Sequence, residues 1–250
     1  MAADASPLPR ANLWAVIAAD ILTASSDPRK GPPMAVENRT LPLFPLDLVL
    51  FPNAVIPLTI FEERYKLMIR RCLDGDSEFG VVLIKTGSEV GESAEPHSVG
   101  TVARIIDVQH LGDERMRIAV AGRDRFRIEA VTRVEPYLEG RVEVLHDDPA
   151  DGLAEQDMDS LRTAATQHIR LLHGLRGGWV NEPRLPAEPS ELSYFVAVLL
   201  QSANPEKQAL LEEGSTAARL RAEHRLMQDE VEELKRRVAR QLLGGGRGER

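Results

Sequence analysis

The stretch Leu41-Pro-Leu-Phe-Pro-Leu-Asp-Leu-Val-Leu-Phe-Pro-Asn-Ala-Val-Ile-Pro-Leu58 decides the fold. It is apolar enough to be buried, yet it carries Pro42, Pro45, Pro52 and Pro57. Proline has no N–H to give to a central ladder, so these segments read as edge, bulged or bent strands. Thr59-Ile60-Phe61-Glu62 follows, with the spacing of a capping box in which the hydroxyl takes an amide and the carboxylate reaches back. A helix is therefore expected from there. Tyr65, Met68, Ile69, Cys72 and Leu73 fall on one apolar stripe, and Arg70 and Arg71 suit the C-terminal dipole before Gly75. On that stripe Cys72 reads as a core residue rather than a reactive thiol.

Downstream the pattern stays strand-like as far as Leu145. Phe79-Gly-Val-Val-Leu-Ile84 is a short continuous apolar run, suited to a strand buried on both faces. Thr86 to Pro96 reads as a loop, Val99 to Val108 as a strand, and Leu111-Gly-Asp-Glu114 as a hairpin turn. Arg115 to Ala130 alternates, and Tyr137 to Leu145 supplies a last strand. Asp147, Asp148, Pro149, Asp151 and Gly152 then mark a boundary, beyond which the period becomes helical. Helices are expected over 159–175, from Ser190 or Glu191 to Leu200, from Pro205 to Leu211, and over 216–243.

Upstream, Leu13 to Leu22 is interrupted by Asp20 and too short to span a bilayer. It reads as a short amphipathic helix or a weakly ordered arm. Ser25 to Pro33 reads as a linker, with Met34 directly after it, so residues 1–33 are an upstream extension or a misplaced start. The domain reading is an extension and linker over 1–38, a β domain over 39–148, a helical domain over 149–243, and a tail over 244–250.

The composition excludes several classes. The 250 residues are 43% hydrophobic and 28% charged, with a net charge of −8, the balance of an ordinary globular chain rather than a nucleic-acid binder. One cysteine allows no internal disulfide and no multi-thiolate zinc site, which suits a reducing compartment; the expected location is the cytoplasm. No phosphate-binding G-x-x-x-x-G-K-[ST] loop and no G-x-S-x-G nucleophile elbow occurs. The six histidines include no H-x-x-x-H pair, and His168 and His173 lie off a common helical face. No catalytic residue, metal or cofactor is expected. The paired carboxylates Glu62-Glu63, Asp147-Asp148, Glu212-Glu213 and Glu232-Glu233 read as solvated surface, since a catalytic pair needs a cleft that perturbs it.

Two patterns carry a sharper reading beside a bland one. In 115–130, Met116, Ile118, Val120, Phe126 and Ile128 share one parity, while Arg115, Arg117, Arg123, Arg125 and Arg127 share the other. The arginines could form a phosphate-contacting face for RNA. They could equally be a solvated face balanced by Asp113, Glu114, Asp124 and Glu129, which the acidic total favours. In the last helix, Leu220, Met227, Val231, Leu234, Val238 and Leu242 approach a heptad spacing. That allows a homodimeric coiled coil, although an amphipathic helix packed on its own bundle is preferred.

Several of these segments, in this order, resemble the amino-terminal domain of Lon proteases. The resemblance rests on residues 41–58 with Phe61-Glu-Glu-Arg64-Tyr65, on Gly100-Thr-Val-Ala-Arg-Ile-Ile106, and on Gly122-Arg-Asp-Arg-Phe-Arg-Ile128. Leu192-Ser-Tyr-Phe-Val-Ala197 and Glu206-Lys-Gln-Ala-Leu-Leu-Glu212 continue it, so that it spans roughly residues 40 to 240. It implies an α+β fold: a PUA-like β-barrel with one inserted helix, followed by a C-terminal helical bundle. It also implies a non-catalytic module that binds unfolded or client proteins, read here as a stand-alone member without ATPase and protease domains. The candidate peptide-binding patch is Phe44, Leu48 and Phe51. The alternative is RNA binding through Arg115, Arg117, Arg123, Arg125 and Arg127. Neither reading calls for a membrane.

Overall fold

Strand β3 (Glu78–Thr86) lies in the middle of the sheet, with Phe79 to Leu83 all buried. The structure is a computed structural model that describes residues 39–88, 94–112, 115–148, 150 and 152–244, with side chains to Gln241. β3 pairs in parallel with β1 (Arg39–Leu46) and antiparallel with β4 (Glu95–His110). Covering on both faces is what its unbroken apolar run requires. The long β5 (Met116–Arg133) pairs with β4 from Met116 to Arg127. Its first half also pairs with β2 (Val55–Ile60), and its second half with β6 (Glu139–Leu145). β6 pairs in turn with β1, so the order β2-β5-β4-β3-β1-β6 curls until β6 links β1 to β5. The result is a mixed, barrel-like sheet.

The prolines explain how β1 bends. Its first half, Arg39 to Pro42, pairs with β6, and its second half, Leu43 to Leu46, pairs with β3. Neither Pro42 nor Pro45 therefore has to serve two ladders. The core between these strands is Leu41, Leu43, Val82, Val102, Phe126, Leu138 and Val142. At Gly100 a Cβ would stand 2.4 Å from the Val81 carbonyl oxygen and 2.9 Å from the Phe126 ring, so only glycine lets that ring lie on β4.

The inserted helix α1 spans Glu63–Leu73, and the capping box expected at Thr59 does not form. Thr59 lies in the β2–β5 ladder opposite Arg117, and the helix begins only at Glu63, too far along for Thr59 to reach its first-turn amides. Glu62 is the cap residue, and its carboxylate accepts from Arg64 Nε at 3.0 Å instead. Tyr65, Met68, Ile69 and Cys72 are buried as expected, but Leu73 is exposed. Burial pushes the Cys72 thiol up to about 11, which keeps it protonated.

Four helices follow: α2 (Glu155–Leu175), α3 (Pro189–Leu199), α4 (Asn204–Glu212) and α5 (Thr216–Gly244). α3 opens on Pro189, whose missing N–H costs nothing in a first turn. In α4 the N3 residue Glu206 accepts from the Ala203 amide at 3.2 Å. α5 buries Leu220, Met227, Val231 and Leu234 and packs on α2 and α3 of its own chain. Most of the stripe that could have built a coiled coil is thereby covered within the chain, whereas Val238 is half-buried. Several features expected from sequence lie outside the described residues: the 1–38 extension, residues 89–93 of the loop, Asp113 and Glu114 of the hairpin turn, Pro149 and Asp151 of the boundary, the Leu242 side chain, and the tail beyond Gly244. Among the described residues, no helix is long and apolar enough to cross a membrane.

Candidate functional site

The three aromatic and aliphatic candidates do not form a surface. Phe44 is buried beneath α1, with its ring 4.2 Å from that of Tyr65 and 6.0 Å from Phe79. Phe51 is 1% exposed, and its ring centroid lies 6.5 Å from Tyr194 of α3. Leu48 is half-buried. Phe44 and Phe51 are therefore packing residues, the first covered by α1 and the second by α3.

The arginine face is split by a bend in β5. A register shift falls between the Thr101–Arg125 and Ala103–Gly122 pairs, so β5 spends an extra residue there. Gly122 makes the bend: a Cβ on it would stand 2.2 Å from the Phe51 carbonyl oxygen. Arg115, Arg117 and Arg127 remain exposed, and Arg127 lies 3.6 Å from Glu143. Arg123 is half-buried. Arg125 is 2% exposed and points inward, which removes it from any nucleic-acid surface. Strict alternation predicted otherwise, but alternation does not survive a bulge.

Arg125 instead meets Asp147, and this corrects the reading of Asp147 as solvated. Arg125 Nη2 donates to Asp147 Oδ1 at 2.5 Å. Its Nη1 donates to the Leu211 and Glu213 carbonyls at 2.7 and 3.0 Å. Arg219 of α5 reaches Asp147 Oδ1 and Oδ2 at 3.3 and 3.2 Å and the Glu213 carbonyl at 2.8 Å. The Tyr194 hydroxyl donates to the same carboxylate at 2.7 to 2.8 Å, and Arg219 stacks 4.3 Å over its ring. Behind them, Arg219 Nε donates to Ser193 Oγ at 2.6 Å, and Ser193 donates to Glu223 at 2.8 Å. Burial raises the Tyr194 and Glu223 pKa values, which favours the protonated form of each. Both Asp147 oxygens are filled by strong donors, which leaves no open position for a reacting atom. The cluster fastens β5 to α3, α5 and the end of α4. The available sequence signal was the Arg219–Glu223 pair, spaced i,i+4 on the same stripe as Leu220 and Met227.

A second polar cluster joins the helices. His168, fully buried on α2, lies with Nε2 2.8 Å from Glu230 on α5. Glu230 also accepts from the Gln201 amide at 2.7 Å, just beyond the end of α3. Lys207 of α4 is buried, which brings its ammonium down to about 8 against the opposing pull of Glu230. Among the described residues, no group of three or more His, Cys, Asp or Glu side chains is placed to hold a metal ion.

One part of the sheet is left open. β2 ends the strand order, and among the described residues it is bonded along one side only. Gly122 N–H donates to the Ala54 carbonyl at 2.8 Å, and this sets the antiparallel alternation. Ile56, Leu58 and Ile60 turn their backbone groups toward β5. Val55, Pro57 and Thr59 turn theirs outward, and Pro57, having no donor, is tolerated there. The outward row offers two donors and three acceptors. Phe61, 52% exposed, follows directly.

A curled sheet with one inserted helix, followed by four helices fastened to it by a buried charge cluster, defines a class. The model of the ATP-dependent protease La (LON) substrate-binding domain matches residues 40–229, and the chain belongs to that family. The chain is 28% identical over 201 residues to Lon protease 2 of Myxococcus xanthus, covering 79% of this chain and 24% of that protein. It thus spans about a quarter of the length of such relatives. A crystal structure of a Lon N-terminal domain protein from Xanthomonas campestris superposes with a TM-score of 0.58 at 29% identity. That match covers 73% of this chain and 95% of the other. The N-terminal domain of a Mycobacterium avium complex Lon protease has the same fold, with a TM-score of 0.53 at 18% identity over 76% of this chain and 99% of that one.

Proposed function

We propose that this protein is a non-catalytic recognition module that holds an extended, apolar segment of an unfolded client protein along the outer edge of β2. In this role it acts as an adaptor or quality-control factor. The observation that carries the reading is the open row of Val55, Pro57 and Thr59 backbone groups beside exposed Phe61. Strand addition uses main-chain bonds, which any extended sequence can make, and an exposed aromatic favours apolar clients. Membership of a substrate-binding family supports it. So does the filled state of Asp147, the most heavily bonded carboxylate described, which serves the fold rather than chemistry.

The test is Thr59→Pro. It removes an outward donor and leaves the bonds to β5 in place. A permanently unfolded probe, a reduced and carboxymethylated protein, should bind the parent chain and bind Thr59→Pro at least ~10-fold more weakly. A photo-crosslinker at Thr59 should capture the probe where one at Glu143 does not. Equal binding by a Thr59→Pro chain that keeps its circular dichroism and melting temperature would overturn the proposal.

A further inference from the structure

We infer that the groove between α2 and α5 receives the cationic end of α5 from a second copy of this chain. The groove has a volume of about 900 Å³, with Ala164 and Val231 in its lining. Glu155, Asp159 and Asp229 also line it, and none of the three has an ion pair or hydrogen bond among the described residues. Glu232, also at the groove, is answered by Lys235 at 2.7 Å. Three carboxylates thus remain unpaired in one concave surface.

The complementary charge sits on the same helix. From Lys235 to Gln241 no α5 side chain is buried. Arg236 and Arg240 share one carboxylate, Glu233, at 3.8 and 3.1 Å, and Arg237 has no partner among the described residues. At 3.6 residues per turn the three arginines fall within an arc of roughly 100°, on the side opposite Val238. Val238 continues the Val231–Leu234 stripe, so the arginines face away from the chain's own bundle. α5 is one continuous helix and cannot turn back into its own groove. Among the described residues these cations meet Glu233 and, from Arg236, the charge of Glu232, and the rest of their donors face outward. A second copy carries both halves of the contact, and a two-fold exchange closes it so that each groove takes the other helix end. This contact does not involve β2 and stands apart from client binding.

The experiment is sedimentation velocity on the full chain up to roughly 0.5 mM. The parent should show a reversible monomer–dimer equilibrium. Two reversals, Arg236→Glu/Arg237→Glu/Arg240→Glu and Asp159→Lys/Asp229→Lys, should each weaken dimerisation at least ~10-fold, because like charges then face each other. Both sets of residues are exposed, so the circular dichroism of each variant should match the parent. Mixed in equal amounts, the two variants should restore the dimer as a heterodimer, since both exchanges are again attractive. A parent that stays monomeric, reversals that dimerise like the parent, or a mixture that stays monomeric would each overturn the inference.

Discussion

Asp147 accepts hydrogen bonds from Arg125, Tyr194 and Arg219 and so ties β5, α3 and α5 together. Its side chain is 20% exposed, yet it answers two guanidinium groups that are almost fully buried. Removing one partner of a buried ionic cluster leaves the other charges desolvated and unpaired, at a cost of about 3–5 kcal/mol. Asp147→Ala should lose that much in urea unfolding, while Asp148→Ala next to it, exposed, should change stability by less than ~0.5 kcal/mol. Glu223 makes a prediction about pH. Its folded pKa is raised above the ordinary 4.5, chiefly by burial, so the native state binds this proton more tightly than the unfolded chain. The contribution is complete below about pH 4.5 and is lost as pH rises toward the folded value, at about 1.4 kcal/mol per pH unit. Glu223→Gln, which cannot ionise, should gain on the parent as pH rises above about 5; parallel urea midpoints through that rise would refute the sign. Cys72, buried and pushed up to about 11, should react with an aromatic disulfide reagent only after unfolding. Rapid reaction of the native protein would contradict its core placement.

Elements were read from sequence wherever their signal is local. The helices followed from apolar spacing, although α2 begins at Glu155 rather than 159 and α3 at Pro189 rather than Ser190 or Glu191. β3 followed from an unbroken apolar run, and the bent β1 from its prolines. The failures share a physical reason, competition from a partner distant in sequence. Thr59 has the spacing of a helix cap but is taken by the ladder with Arg117. Arg125 has the parity of an outer-face residue, but the β5 bulge turns it inward. Gly122 is the residue on which that bend depends. Gly122→Ala would drive a Cβ to 2.2 Å from the Phe51 carbonyl oxygen, so it should cost about 1–3 kcal/mol. Differential scanning calorimetry should show the lowered melting temperature, while Gly112→Ala, with open space around it, should change little.

At the scale of the whole molecule, the sheet and the helices are joined by long-range polar contacts. Besides the Asp147 cluster, Gln208 donates to the Val99 carbonyl at 3.0 Å and Asn204 to Asp47 at 2.8 and 2.9 Å. We expect both parts to unfold in one cooperative transition, with far-ultraviolet dichroism and hydrogen exchange in β3 and α5 reporting the same midpoint. In Asp147→Ala the two midpoints should separate; two transitions in the parent would show that the cluster does not couple them. The sequence by itself determined the order and type of the elements, the strand-then-helix layout and the family resemblance. These rest on hydrophobic period, proline and glycine, which act over a few residues. The tertiary structure alone decided which charges are buried. Asp147 meets Arg125, Tyr194 and Arg219 across 22, 47 and 72 positions, and its neighbour Asp148 has the same side chain on the surface. A carboxylate is desolvated and paired by what the folded chain brings to it, and no local pattern records that.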